Sequence, residues 1–390
     1  MRETCDLCRS TDLEAAYRPD GTKRGLSVYV CGRCGLVQSL PRIDRAPRAP
    51  ATASGGADWG NIRYGKAFRT EACLALLRKH ADFSAPLRLL DAGSNRGAFA
   101  RAFLKAAPEA RVTAVEPDER VADSCANLQR CELVPERIED TKFADESFDI
   151  VHSCHTIEHL AAPLAALREH WRVLKPGGIL ILDAPDIAVI GASDIVEEWF
   201  IDKHLYHFSG ATLSRAVAAA GFDILEGPDG GDGQNLLFAA RKGKSASGLA
   251  LADKSEAEKS RALIAAYRAA RARNVAALAE VAAELTRLAP RRLALWGAGR
   301  LFDSLVIHGG FDPRLLALLV DMHLKAHVPS RYGVRLSGPE DLRAADPGAI
   351  VVMSRAFAGE IAKIAAMEAP RAELLFYSDL MSRARRARAA

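Results

Sequence analysis

The sequence predicts an α/β fold in which a central sheet domain lies between a small cysteine-bearing domain and a second, smaller α/β domain. Three observations carry this. At residues 87–104 a short apolar run, a glycine-bearing turn and a helically spaced run follow one another, the order of a buried parallel strand, a tight turn and a helix. The same order returns at 291–310, after a helical pattern over 256–288 that stops before Pro290. Ahead of both lie Cys5-x-x-Cys8 and Cys31-x-x-Cys34. The expected boundaries are 1–45 for the cysteine domain, 60–243 for the central domain, 253–289 for a linker helix and 290–380 for the last domain. A chain of 390 residues with 49% hydrophobic content can build two or three cores, and a net charge of +4 is too small to demand a polyanionic partner.

The first turn reads Asp91-Ala92-Gly93-Ser94-Asn95-Arg96-Gly97, and a second strand over 111–115 delivers Glu116-Pro117 to the same sheet edge. Gly93 and Gly97 permit dihedrals that a Cβ forbids and a close approach of the backbone to a ligand, at the edge where open α/β sheets bind ligands. A carboxylate at the end of the second strand can accept both hydroxyls of a ribose. The glycines are spaced Gly-x-x-x-Gly rather than in the dinucleotide pattern, which suits a nucleoside carrying an amino acid better than a pyrophosphate. The turn therefore predicts a site for S-adenosylmethionine (SAM). An ordinary strand-helix-strand turn with an incidental acid is the competing account.

Residues 147–153 resemble the fourth strand of a class I SAM-dependent methyltransferase, and "RVLKPGGILILDAPD" at 172–186 resembles its fifth strand with the preceding turn. The resemblance runs over about 64–241 and implies a Rossmann-like class I methyltransferase core. It implies that Asp91, Gly93 and Asn95 surround the methionine portion, that Glu116 takes the ribose, and that the backbone at Ile138 faces the adenine. With Ser94, Gly97, Pro117 and His155 these make up the expected cofactor set. The family often carries an acid near Arg137 for the adenine amine, and this sequence departs from that pattern there.

The paired C-x-x-C knuckles, separated by a short polar segment able to form a β-ribbon, predict a zinc ribbon in which Cys5, Cys8, Cys31 and Cys34 hold one structural Zn2+. With four thiolates no coordination position stays open, so this metal is expected to hold a small domain together and to do no catalysis. A disulfide pair or free thiols are the alternatives. Cys73, Cys125, Cys131 and Cys154 are expected as small buried apolar residues. Residues 42–60 lack periodicity and read as an inter-domain linker. Tyr64 beyond it is either a lid over the cofactor or the first core residue of the leading helix, the latter favoured. No apolar run predicts a signal peptide or membrane span, and with the cysteine pattern the expected compartment is the cytoplasm. The basic tail "SRARRARAA" is expected as a solvated end rather than a nucleic-acid contact.

In the last block "RRLALWGAGRLFDSLVIHGG" predicts a strand, a Gly297-x-Gly299 turn and a helix, with further strands in "LLALLVD" and "GAIVVMS". These fit a second, smaller Rossmann-like domain whose Gly-x-Gly turn serves packing at least as well as a nucleotide. The whole arrangement resembles the NDP-sugar C-methyltransferases, which join a zinc domain with two C-x-x-C knuckles, a SAM domain and a C-terminal Rossmann-like domain. "CGRCGLVQ" (31–38), "GSNRG" (93–97) and the stretch 320–342, with Asp321, Lys325, Pro329 and Pro339-Glu340, carry that resemblance. It implies a small-molecule acceptor, a nucleotide-linked sugar, that the C-terminal domain helps enclose. Nucleic acid and membrane partners are not expected, and the oligomeric state is not legible.

Methyl transfer from a sulfonium is an in-line displacement, so the protein supplies alignment and, where the acceptor holds a proton, a base. The resemblance places a Glu-His pair in the segment that reads "FIDKHLYHFSGATL" (200–213) here. His204 matches the base, with His207 in reserve, but Lys203 replaces the acid, and carbon methylation loses support relative to hydroxyl or amine transfer. A structural histidine in a loop that caps the next helix is the competing role for His204. A second constellation, His155-x-x-Glu158-His159, is similar to methyltransferases in which Glu-x-x-Glu-His and a later His hold a divalent ion. With His155, Glu158, His159 and His204 it suits a borderline metal better than Mg2+; the alternative is that His155 lines the cofactor pocket and His159 opens a helix. Methylation of another small molecule or of RNA, and a catalytically degenerate SAM-binding protein, are the rival functions.

Overall fold

A computed structural model describes residues 3–20, 22, 25–42, 66–118, 125, 127–228, 233–243, 251–326, 328–355 and 357–389. Most of the linker 42–60, and Tyr64, lie outside the described residues. The described chain forms two compact units. The first takes its residues from Met1–Thr52, Gly65–Ile190 and Phe200–Ala265, the second from Gly191–Trp199 and Ala266–Ala390.

Unit one opens with three short strands, β1 (Leu13–Tyr17), β2 (Ser27–Cys31) and β3 (Val37–Leu40). The central sheet then uses β4 (Arg88–Ala92), β5 (Arg111–Val115), β6 (Cys131–Val134), β7 (Phe148–Cys154) and β8 (Leu174–Pro185). A two-residue strand, β9 (Tyr206–His207), precedes β10 (Phe222–Glu226) and β11 (Asn235–Lys242). The seven sheet strands lie in the order β10-β11-β8-β7-β4-β5-β6. Strands β4 to β8 are parallel, whereas β11 runs antiparallel to β8 and β10. This order reverses direction at β4 and β7, and the crevice outside their carboxyl ends is where such sheets bind ligands.

Strand β4 extends through Ala92 and so includes Asp91, which the sequence reading places in the turn. The strand tolerates an acid because its carboxylate is matched across the sheet: His152 Nδ1 stands 2.7 Å from Asp91 Oδ1, and the imidazole stacks on Phe99 with ring centroids 3.5 Å apart. Strand β8 likewise begins at Leu174 and takes in the Lys-Pro-Gly-Gly segment read as a turn. The register shift against β7 between Phe148 and Ile150 absorbs the irregularity.

The cysteine-bearing strands form a separate antiparallel sheet in the order β1-β2-β3-β9, so its fourth strand comes from the segment around His207. Residues Cys5, Leu7, Cys8, Cys31, Cys34 and Leu36 share one apolar cluster with Leu90, Val151 and Leu180 of the central sheet. Asp6 Oδ2 also accepts the backbone N–H of Leu164 (2.9 Å), at the start of the helix Pro163–Val173. That carboxylate satisfies one of the orphan donors of a helix start.

Unit two contains β12 (Leu293–Trp296), β13 (Leu318–Val320), β14 (Ser330–Arg331), β15 (Val334–Ser337), β16 (Ala349–Val352) and β17 (Glu373–Phe376). Their order is β14-β15-β13-β12-β16-β17, parallel except for the β14–β15 hairpin. In the Gly297-x-Gly299 turn, Gly297 has φ 116°, and a Cβ there would stand 3.1 Å from Met353. Asp321 Oδ2 accepts the Ala298 N–H at 3.0 Å. The basic tail is helical, with Arg383, Arg386 and Arg388 exposed and Ala384 buried. It belongs to the helix Tyr377–Ala389, which buries Leu380, Met381 and Ala384, and Arg383 pairs with Glu284 at 3.0 Å. Apolar residues at helical spacing anchor the segment while its arginines face outward.

Candidate functional site

The site begins where β4 ends. Gly93 and Gly97 both lie in the left-handed region, at φ 79° and 67°. A Cβ on Gly93 would stand 2.1 Å from Thr156 Oγ1 and one on Gly97 2.5 Å from Cys125 Sγ, so only glycine fits this turn. The backbone N–H groups of Gly93 and Ser94 donate to Val115 O at 2.9 and 3.0 Å, which ties the turn to the end of β5. Glu116 follows at once. Its Oε2 accepts the Asn95 N–H (2.8 Å) and its Oε1 the Asp118 N–H (2.9 Å). Burial pushes its carboxyl above the ordinary range, against the pull of these two donors.

The structure thus brings together Gly93, Ser94, Asn95, Gly97, Glu116 and Pro117 at the carboxyl edge of β4 and β5. Asp91 stands behind them, 1% exposed and engaged with His152. Ile138 is buried, and its carbonyl accepts the Thr141 hydroxyl at 2.8 Å.

A second group occupies the edge at β7. Thr156 donates to Ala92 O at 3.1 Å, so the residues after β7 abut the glycine turn. His155 there has φ 50°, a left-handed conformation uncommon for a side-chain-bearing residue. Its Nε2 lies 2.8 Å from Asn235 Oδ1, 3.0 Å from Arg69 Nη1 and 3.9 Å from Asp183 Oδ2; its Nδ1 lies 3.4 Å from Glu158 Oε1. Arg69, Asp183 and Asn235 come from the helix Lys66–Arg78, the end of β8 and the start of β11. No spacing in the sequence links them, and sequence reasoning missed all three. Burial pushes Asp183 upward, opposed mainly by His155. Glu158 behaves oppositely: burial raises it, but His159 and His155 outweigh burial and hold its carboxyl at about 2.

His204 joins this group. Donor atoms of Glu158, His159 and His204 all lie within 4.8 Å of one another, and the His159 and His204 rings are 4.9 Å apart by centroid. The loop is pinned at three points: His159 Nδ1 donates to Lys203 O (2.8 Å), Leu205 N to Glu158 O (2.8 Å) and Ser39 N to Leu205 O (2.8 Å). A carboxylate, Glu158, thus lies beside His204 although Lys203 occupies the preceding position. His207 is 3% exposed, with Nε2 3.0 Å from Ser39 Oγ, and burial drives its pKa to about 3. Burial thus disfavours its charged form, and the ring packs where β3 pairs with β9.

The four N-terminal cysteines converge. All are buried, their sulfurs lie within 4.8 Å of one another, and Cys5–Cys34 and Cys8–Cys31 each stand at 3.5 Å. Four sulfurs about 2.3 Å from a common ion would be roughly 3.8 Å apart, so the donor set fits tetrahedral zinc. Of the other cysteines, Cys73 and Cys125 are buried and Cys131 and Cys154 partly so.

Residues 90–182 match the family model of the methyltransferase domain. Sheet order, glycine turn and family match together define a Rossmann-like, class I SAM-dependent methyltransferase domain. Similar proteins include an uncharacterized methyltransferase of Schizosaccharomyces pombe, 34% identical over 134 residues, 31% of this chain and 48% of that one. A ubiquinone/menaquinone biosynthesis C-methyltransferase of Dinoroseobacter shibae is 32% identical over 102 residues, 24% of this chain and 41% of that one. The alignments thus span less than half the length of these relatives. Among solved structures, a SAM-dependent methyltransferase of Aquifex aeolicus matches with TM-score 0.39 and 15% identity over 49% of this chain and all of that one. No helix among the described residues is long and apolar enough to cross a membrane.

Proposed function

We propose that the protein is a SAM-dependent methyltransferase acting on a nucleotide-linked sugar or a related glycan precursor. The observation that carries the activity is Glu116, a buried carboxylate clasped by the Asn95 N–H beside the Gly93–Gly97 turn. There it would accept the ribose hydroxyls, while the turn backbone holds the methionine portion and the backbone at Ile138 borders the adenine. The bound cofactor supplies an electrophilic methyl group. The chain's own residues align the acceptor and receive its proton.

His204, beside Glu158, is the group we assign to that proton, because a neighbouring carboxylate stabilises the imidazolium that forms. The support for a sugar acceptor is the likeness of 31–38, 93–97 and 320–342 to the NDP-sugar C-methyltransferases. The quinone C-methyltransferase similarity favours a second reading, carbon methylation of another small molecule. We assign the four-cysteine cluster one structural zinc and the protein to the cytoplasm. A screen of nucleotide-sugars, free glycans and quinol precursors with SAM, read by product mass and NMR, tests the acceptor. A methylated nucleotide-sugar is expected, and turnover of quinol precursors alone would overturn the assignment.

A further inference from the structure

Glu158 presents an unusual arrangement. Its side chain is 2% exposed, and neither carboxylate oxygen accepts a well-formed hydrogen bond among the described residues, His155 Nδ1 standing off at 3.4 Å. Leaving a buried carboxylate undonated is strongly unfavourable unless a cation compensates it. Facing it at 3.6 Å is His159 Nε2. The other nitrogen of that ring, Nδ1, stands 2.8 Å from the Lys203 carbonyl oxygen, which can only accept. Nδ1 therefore carries the hydrogen, and in the neutral ring Nε2 turns a lone pair towards the lone pairs of Glu158. Two acceptors in this position repel unless a cation, a metal ion or the proton of an imidazolium, lies between them. A backbone carbonyl that fixes the distal N–H is also how ligating histidines are held.

His204 completes the set, with a donor atom within 4.8 Å of the other two. Donors about 2.1 Å from one ion at a tetrahedral angle lie roughly 3.4 Å apart, close to the Glu158–His159 separation. We propose that Glu158, His159 and His204 bind one borderline divalent transition-metal ion at the edge of the methyltransferase crevice, in addition to the four-cysteine site. Two imidazoles and one carboxylate select Fe2+, Mn2+, Co2+ or Zn2+ over Mg2+, which prefers oxygen ligands and retains its waters. Three protein ligands leave positions open, and His159, 35% exposed at its side chain, gives them access to solvent.

The role of this ion rests on the methyltransferase reading; its binding does not. An acceptor hydroxyl bound at an open position loses its proton to bulk water more readily. The oxygen then forms a bond to the methyl carbon of SAM as the carbon–sulfur bond breaks, its electron pair staying on sulfur to give S-adenosylhomocysteine. His204 serves as a ligand in that state and as the base only without the ion.

Calorimetric titration of the full-length protein with Co2+, Mn2+ and Mg2+, alongside elemental analysis of the cysteine-bound zinc, tests the site. One equivalent of Co2+ or Mn2+ should bind beyond that zinc, with Mg2+ at least about 10-fold weaker. Because Glu158→Gln could fail to fold, the partly exposed His159→Asn is the second variant, with far-UV circular dichroism as a check. Both should lose at least about 10-fold in Co2+ affinity, whereas Glu116→Ala should keep it while losing SAM. Absence of saturable binding, or unchanged affinity in folded His159→Asn, would overturn the metal site. Unaltered SAM affinity in Glu116→Ala would instead strike the cofactor reading and leave the metal site standing.

Discussion

His204 and His207 lie three positions apart in sequence and have opposite surroundings. His207 is sealed against Ser39, whereas His204 borders Glu158 and His159. The sequence ranks them as base and reserve; what it does not show is the acid, because Lys203 occupies the expected position and Glu158 lies 46 residues upstream of His204. His204→Ala should lower kcat by at least about 100-fold while SAM affinity stays within about 2-fold. Steady-state kinetics with calorimetry would check this, and a parallel loss of SAM binding would place His204 in the cofactor site instead. Asp91 shows the converse. It stands at the motif position that the resemblance assigns to cofactor, and its carboxylate is engaged within the sheet by His152.

At the scale of elements, the glycine turn and its flanking strands were legible because they are local: Asp91 to Gly97 is a single strand-to-helix passage. The β3–β9 pairing was not, since it joins Val37 and Gln38 to residues about 170 positions later and two-residue strands carry no periodicity. That pairing makes the cysteine ribbon a buttress for the His204 loop, through Ser39 N to Leu205 O and Ser39 Oγ to His207. Ser39→Ala should cost about 1 kcal/mol in urea-unfolding stability; no change would deny the bond a role. Cys31→Ser should release about one zinc equivalent and destabilise unit one, because the four cysteines sit in the apolar cluster that includes the central sheet. A variant of unchanged zinc content and stability would refute that coupling. In the C-terminal tail, charge concealed the pattern: the dense arginines read as solvated, although Leu380, Met381 and Ala384 lie on one helical face.

For the molecule as a whole, two buried histidines contribute to the response to acid. Burial lowers His170 to about 4 and His207 to about 3, whereas the unfolded chain titrates near 6.5. The unfolded state thus binds protons first. Their contribution to stability is full above about pH 6.5 and falls on acidification towards the folded values, by up to about 1.4 kcal/mol per pH unit for each histidine. Glu158, lowered to about 2, adds loss in the same direction below its unfolded value near 4.5. Urea midpoints between pH 7 and 4 should decline, and His170→Gln should decline less steeply; parallel profiles would contradict this origin. The central claim concerns Glu116 and the turn beside it. It is tested most directly by calorimetric titration of SAM into the wild-type protein and Glu116→Ala. The account predicts saturable one-site binding to the first and a loss of about 2–4 kcal/mol in the second; equal affinity of the two proteins would contradict it.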